Sequence, residues 1–109
     1  MSSNNIPPPS IIEDVLVIEY AVVDETVEFT GRLKLYVGEN QINAVPRLAI
    51  CQHPVDHTFF LMHCDEKWNV LGIQVWNAPD FPEEITLEGV KQRAEVYYKG
   101  ISSKWRKFK

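Results

Sequence analysis

The chain has 109 residues, 15 Asp and Glu against 11 Lys and Arg, with 45% hydrophobic and 24% charged residues. That length suits one domain around one modest core, and that balance excludes a disordered chain. Apolar runs such as Val15–Ile18 fall far short of the ~20 residues a membrane helix needs, and Met1–Ser10 lacks the basic and apolar regions of a secretory leader. A cytoplasmic protein without membrane association is therefore expected.

Charge is uneven. Residues 1–31 hold six acids and no base, and residues 99–109 hold five bases and no acid. The other 98 residues carry fifteen acids against six bases, a net of −9. Such a tail either has its own task or lies on the acidic body.

Pro7-Pro8-Pro9 marks residues 1–12 as a flexible arm, because consecutive prolines fit neither a helix nor a central strand. Residues 14–23 are rich in Val, Ile and Tyr and read as a strand. Residues 27–37 alternate, with Val27, Phe29, Leu33, Leu35 and Val37 on one side and Glu28, Thr30, Arg32, Lys34 and Tyr36 on the other. Pairing Val23 with Val27 makes a hairpin that groups Val15, Val17 and Ala21 and sets Glu19 opposite Gly31. Residues 47–53, 58–64 and 69–76 read as three further strands, joined by loops short enough to make neighbours antiparallel.

Pairing Cys64 with Asn69 puts Phe60, Met62, Leu71, Ile73 and Val75 on one face. Phe59, Leu61, His63, Val70, Gln74 and Trp76 fall on the other. Residues 77–85 are irregular. Thr86 then caps a helix, with Glu88 in its first turn and Ile85 and Val90 at staple positions. Leu87, Val90, Ala94, Tyr97 and Ile101 form its buried stripe, and Gly100 ends it.

The expected architecture is α+β. A five-stranded antiparallel, strongly curled meander sheet carries one C-terminal helix on one face, in a single domain over 13–103. A basic tail follows at 104–109. A helix of about 12 residues is ~18 Å long and cannot cover a sheet ~24 Å wide. Either the sheet curls onto itself, or a homodimer or protein partner covers the remainder, with Phe59, Leu61 and Trp76 as anchors.

Chemical constellations are sparse. Cys51, His53, His57, His63 and Cys64 are metal-ligand types in no standard spacing. Cys51 opposite Phe60 leaves Cys64 four rows away, ~13 Å off at ~3.3 Å per residue. His63 and Cys64 point to opposite faces. Only His53 and His57 remain as a two-ligand set, so neither metal nor cofactor is assigned. The serines sit only in the terminal segments, the glycines are scattered, and the adjacent acids Glu83-Glu84 and Asp65-Glu66 need not converge. No catalytic residue is assigned. The tail, Lys104 to Lys109, interleaves Trp105 and Phe108 with bases, a pattern that suits stacking on nucleic acid but is opposed by the acidic body.

Three stretches carry a resemblance: Pro46–Cys51; Phe60 to Gly72, with Cys64-Asp65-Glu66-Lys67-Trp68-Asn69-Val70 at its centre; and Ala94-Glu95 with Tyr98–Trp105. Together they resemble a group of short bacterial proteins without assigned function, with a Cys-Asp-x-x-Trp-Asn-Val hairpin and following helix similar to that of some small toxin-immunity-like proteins. The likeness covers about half the chain and implies the hairpin and helix, with no catalytic role.

The expected function is a non-enzymatic protein-binding module, immunity-protein or inhibitor-like. It would act through an acidic surface (Asp24, Glu25, Glu28, Asp65, Glu66), Trp68 at the hairpin tip, and the sheet residues Phe59, Leu61 and Trp76. Acidic groups would steer a basic partner. The alternatives are a ligand pocket between sheet and helix, lined by Phe60, Met62, Trp76 and Tyr97, and nucleic-acid binding through the tail.

Overall fold

The computed structural model describes residues 7–32, 35–37, 39–42, 45–76 and 86–108. In chain order these form β1 (Ile11–Ile12), β2 (Val15–Val22), β3 (Glu28–Phe29), β4 (Leu35–Val37), β5 (Asn40–Ile42), β6 (Arg47–Gln52), β7 (Phe59–Cys64) and β8 (Val70–Trp76). Helix α1 (Leu87–Tyr97), β9 (Tyr98–Lys99), a 3-10 turn at Ile101–Ser103 and β10 (Arg106–Lys107) follow. The architecture is α+β: a curled antiparallel sheet in the order β1-β2-β6-β7-β8, with one helix, and β10 also pairing with β2.

β6 and β7 hold the centre. Nearly all of their residues are buried on both faces, so they read as continuous apolar runs rather than alternating ones. Their register sets Cys51 opposite Phe60 and Arg47 opposite Cys64, as the short turn between them dictates.

The expected hairpin between residues 14–23 and 27–37 is not formed. β2 pairs instead with β6 along one edge, with Ala21 opposite Leu48. Its other edge is shared by β1 and by β10, the latter setting Arg106 opposite Tyr20. The chain does turn at Asp24, where the Val27 N–H donates to the Asp24 carbonyl, but it then runs across the end of the helix. Glu28 and Phe29 pair with Lys99 and Tyr98. The Thr30 hydroxyl donates to the Val96 carbonyl at 2.7 Å and its N–H to the Tyr97 carbonyl, satisfying last-turn groups that a helix end leaves open. Gly31, at φ +80°, then breaks the extended run, and Leu35–Val37 pairs with Asn40–Ile42. Leu33 and Lys34 lie outside the described residues.

Two bulges curl the sheet and redistribute its side chains. The first, between Val17 and Glu19, separates Val15 and Val17 from Ala21. The second, between His63 and Cys64, sends Leu71 to the helix side and Val70 to the far side, the reverse of their expected placement.

Helix α1 begins as expected. The Thr86 hydroxyl accepts from the Gly89 N–H at 3.0 Å, and Val90 and Ala94 are buried. Ile85 lies outside the described residues. The helix ends at Tyr97, two residues before the expected Gly100 stop could act as its immediate cap. Gly100, at φ +98°, instead opens the 3-10 turn. The Glu95 carboxylate holds that turn by accepting from the N–H groups of Gly100 (2.7 Å) and Ser102 (3.0 Å). Burial raises the Glu95 carboxyl, but the hydrogen bonds from Gly100 and Ser102 outweigh it and leave the group below its usual range.

The two sheet faces have separate cores. The helix side contains Leu48, Ile50, Phe59, Leu61, Val90, Ala94, Tyr98 and Ile101. The far side contains Ile12, Val15, Val17, Ala49, Cys51, Met62, Cys64 and Trp68, with Tyr20, Phe60, Val70 and Phe108 packed against them. Thus Ile12 of the expected flexible arm and Phe108 of the expected tail both help cover the sheet.

Candidate functional site

The far face is roofed by side chains reaching over from its margins. Trp68 comes from the β7–β8 turn. Its ring meets Tyr20 edge-on at 5.8 Å, and the Arg47 guanidinium lies 6.0 Å from it. Trp68 has φ +68°, at a position where glycine is the usual choice. Left-handed backbone costs a non-glycine residue ~1–2 kcal/mol, whereas burying a Trp side chain contributes more, ~3–5 kcal/mol by truncation data. The ring therefore holds the turn in that shape. Asp65 fixes the rest. One of its carboxylate oxygens accepts from the N–H groups of Lys67 and Asn69, both at 2.9 Å, and the other from the Asn69 side chain at 3.1 Å. Burial pushes the Asp65 carboxyl up, but those bonds prevail and hold it below its usual range.

This roof stops short of β8. Ile73 and Val75 are 46% and 44% exposed. They stand on the far face opposite Met62 and Phe60, and Phe60 is half-buried. Phe60, Ile73 and Val75 form an apolar strip running down from the β7–β8 turn, where Glu66 is exposed. The register Val22–Arg47–Cys64–Val70 brings the Asp24-Glu25 turn to the same end of the sheet.

The sequence-expected contacts fall into three groups. Glu25, Glu28 and Glu66 are exposed; Glu28 pairs in register with Lys99. Asp24 and Asp65 are engaged within the chain. Asp24 accepts from the Thr26 N–H and hydroxyl and lies 3.1 Å from Lys104 Nζ, contacts that lower its carboxyl to about 2, Thr26 contributing most. Phe59, Leu61 and Trp68 are corrections. Phe59 and Leu61 are sealed beneath the helix at 8% and 0% exposure, and Trp68 is buried at 5%. None presents a surface to a partner: strand alternation places Phe59 and Leu61 together on the face that the helix covers. The Trp76 side chain lies outside the described residues. Ile73 and Val75 were assigned a face by the alternation but not singled out. Their signal was that the helix covers only one side of the sheet.

The expected ligand pocket also needs correction. Phe60 and Met62 belong to the far-side core and Tyr97 to the helix-side one, so they do not converge. Between sheet and helix lies a buried polar chain instead. His63 is fully buried, with Nε2 3.1 Å from Gln74 Oε1 and Nδ1 3.5 Å from the Tyr98 hydroxyl. The Gln74 amide donates in turn to the Tyr97 hydroxyl at 3.2 Å. A neutral imidazole protonated on Nε2 satisfies all these contacts. Burial, only partly opposed by Gln74, lowers His63 to about 4, and burial raises the Tyr98 phenol to about 12.

The cysteines are core residues. Burial pushes both thiols up to about 12, with Cys64 adding to the effect at Cys51 and Asp65 to that at Cys64. They are neutral thiols rather than nucleophilic thiolates. His53 Nδ1 accepts from the Val55 and Asp56 N–H groups, so it serves its own turn. Among the described residues no three His, Cys, Asp or Glu side chains gather as a metal site. In the tail, Trp105 packs against the helix-side core and Phe108 against the far-side core, so both aromatic rings are committed to packing.

No described helix is long and apolar enough to cross a membrane. No family model, curated protein or solved structure matches the chain.

Proposed function

We propose that this protein is a non-enzymatic protein-binding module of inhibitor or immunity type. It seats its partner on the Phe60–Ile73–Val75 strip, below the acidic end formed by Glu25 and Glu66. The carrying observation is the exposure of Ile73 and Val75 on one strand beside the half-buried Phe60; Ile11 and Leu16, also exposed, pair with each other at the opposite margin of the sheet. β-branched side chains on a strand form a rigid surface that gains from being removed from water, at ~25 cal/mol per Å². Carboxylates at the end of the strip favour a partner with basic groups beside its own apolar contact.

The test is affinity capture by the full chain from its own cells, followed by binding measurements on the captured protein. The expected result is a defined partner, lost with Ile73→Ser/Val75→Ser. With Glu25→Lys/Glu66→Lys its association should be slower at low salt. Capture unaffected by both double variants overturns the proposal.

A further inference from the structure

At the opposite margin of the sheet a cleft of about 490 Å³ lies between β2 and the chain's last segment. Tyr20, Val22 and Asp24 form one side, and Ser103, Lys104, Trp105 and Arg106 the other. Each wall is fixed. β10 sets Arg106 opposite Tyr20, Lys104 Nζ is held on Asp24 at 3.1 Å, and Trp105 is anchored in the helix-side core. Two cations face one carboxylate, so the cleft is locally positive on a chain of net charge −4. Asp24 is already occupied by Lys104 and Thr26, whereas Arg106 is exposed and makes no ion pair among the described residues. The indole N–H of the neighbouring Trp105, whose ring packs into the helix-side core, is buried without an acceptor.

We propose that this cleft binds a small ligand bearing an oxyanion, a carboxylate or a phosphate group. The guanidinium of Arg106 would meet the anion with the Ser103 hydroxyl, and Tyr20 would form the wall for the remainder of the molecule. A guanidinium presents paired donors that match two oxygens of either anion. The volume falls in the range of small-molecule sites, ~300–1,000 Å³. The cleft is separate from the apolar strip, because three strand spacings, ~14 Å, lie between β2 and β8.

The experiment is an amide and indole NMR titration of the ¹⁵N-labelled full chain. Inorganic phosphate is added in one arm and acetate in the other, with sodium chloride at matched ionic strength as the blank. The expected result is a saturable shift of the Trp105 indole and the Ser103–Arg106 amides in at least one arm. Arg106→Gln should weaken it tenfold or more and Ser103→Ala by less, both with unchanged thermal melts. Saturation by phosphate alone assigns a phosphate ester, and by acetate alone a carboxylic acid. Shifts that follow ionic strength, or that persist unchanged in Arg106→Gln and Ser103→Ala, overturn the proposal.

Discussion

The two faces of one sheet are covered by different means. On the helix side, α1 brings Val90 and Ala94 onto Leu48, Ile50 and Leu61, leaving all five fully buried. The far side has no helix. It is roofed by Trp68, by Ile12 of β1 and by Phe108 after β10, three side chains from three separate segments. A helix covers continuously, whereas isolated side chains cover in patches, and the strip at Phe60, Ile73 and Val75 is where the patches end. The same contrast separates residues that hold the fold from those free to serve a partner.

The largest expected effect is on the helix side. Leu61→Ala should destabilise the protein by about 3–4 kcal/mol in denaturant unfolding, because the helix prevents the cavity from collapsing. A loss under 1 kcal/mol would mean that this face is loosely packed. The His63 chain gives the next effect. Its folded-state value of about 4 lies below the ordinary 6.5, so the folded protein binds fewer protons than the unfolded chain. The stability from neutral, buried His63 is complete above pH 6.5 and is lost as pH falls towards 4, roughly 3 kcal/mol in total. Unfolding measured across that window should show this slope, and His63→Gln should flatten it.

On the far side, Trp68→Gly removes the ring but relieves the left-handed backbone, for a net loss of about 2 kcal/mol. A neutral result would remove Trp68 from the roof. Gly100→Ala should cost about 1–2 kcal/mol in thermal unfolding. Its φ is +98°, and a Cβ there would meet the Thr26 carbonyl oxygen at 3.1 Å. The smallest effect belongs to Ile73→Ser and Val75→Ser, each below about 1 kcal/mol, since both side chains are already half exposed. A loss of 2 kcal/mol or more would place them in the core and erase the contrast between the faces.

Local signals carried much of the fold. The β6–β7 register was legible because the turn between them is short, and Thr86 was legible because a cap acts over three residues. The alternation at 27–37 misled, because period two reports an extended chain and not its neighbour. β6 takes the place beside β2 that this segment was expected to fill, and the other edge of β2 is occupied by β1 and β10, the latter across more than 80 residues. The bulges at Ile18 and beside Cys64 were invisible for a related reason. The extra residue beside Cys64 exchanges the faces of Leu71 and Val70 without altering the apolar pattern. Phe59 and Leu61 keep the face that alternation gives them; the apolar pattern does not say which face the helix covers, so the exposure of Ile73 and Val75 emerges only from the three-dimensional packing.

The most direct test is native mass spectrometry of the protein taken from its own cells at low salt, beside the Ile73→Ser/Val75→Ser variant. The wild type should carry a stoichiometric protein partner, and the variant should fly as the bare 12.6 kDa chain. A bare wild type, or a variant that retains the same partner, would contradict the assignment of the β8 strip as a binding surface.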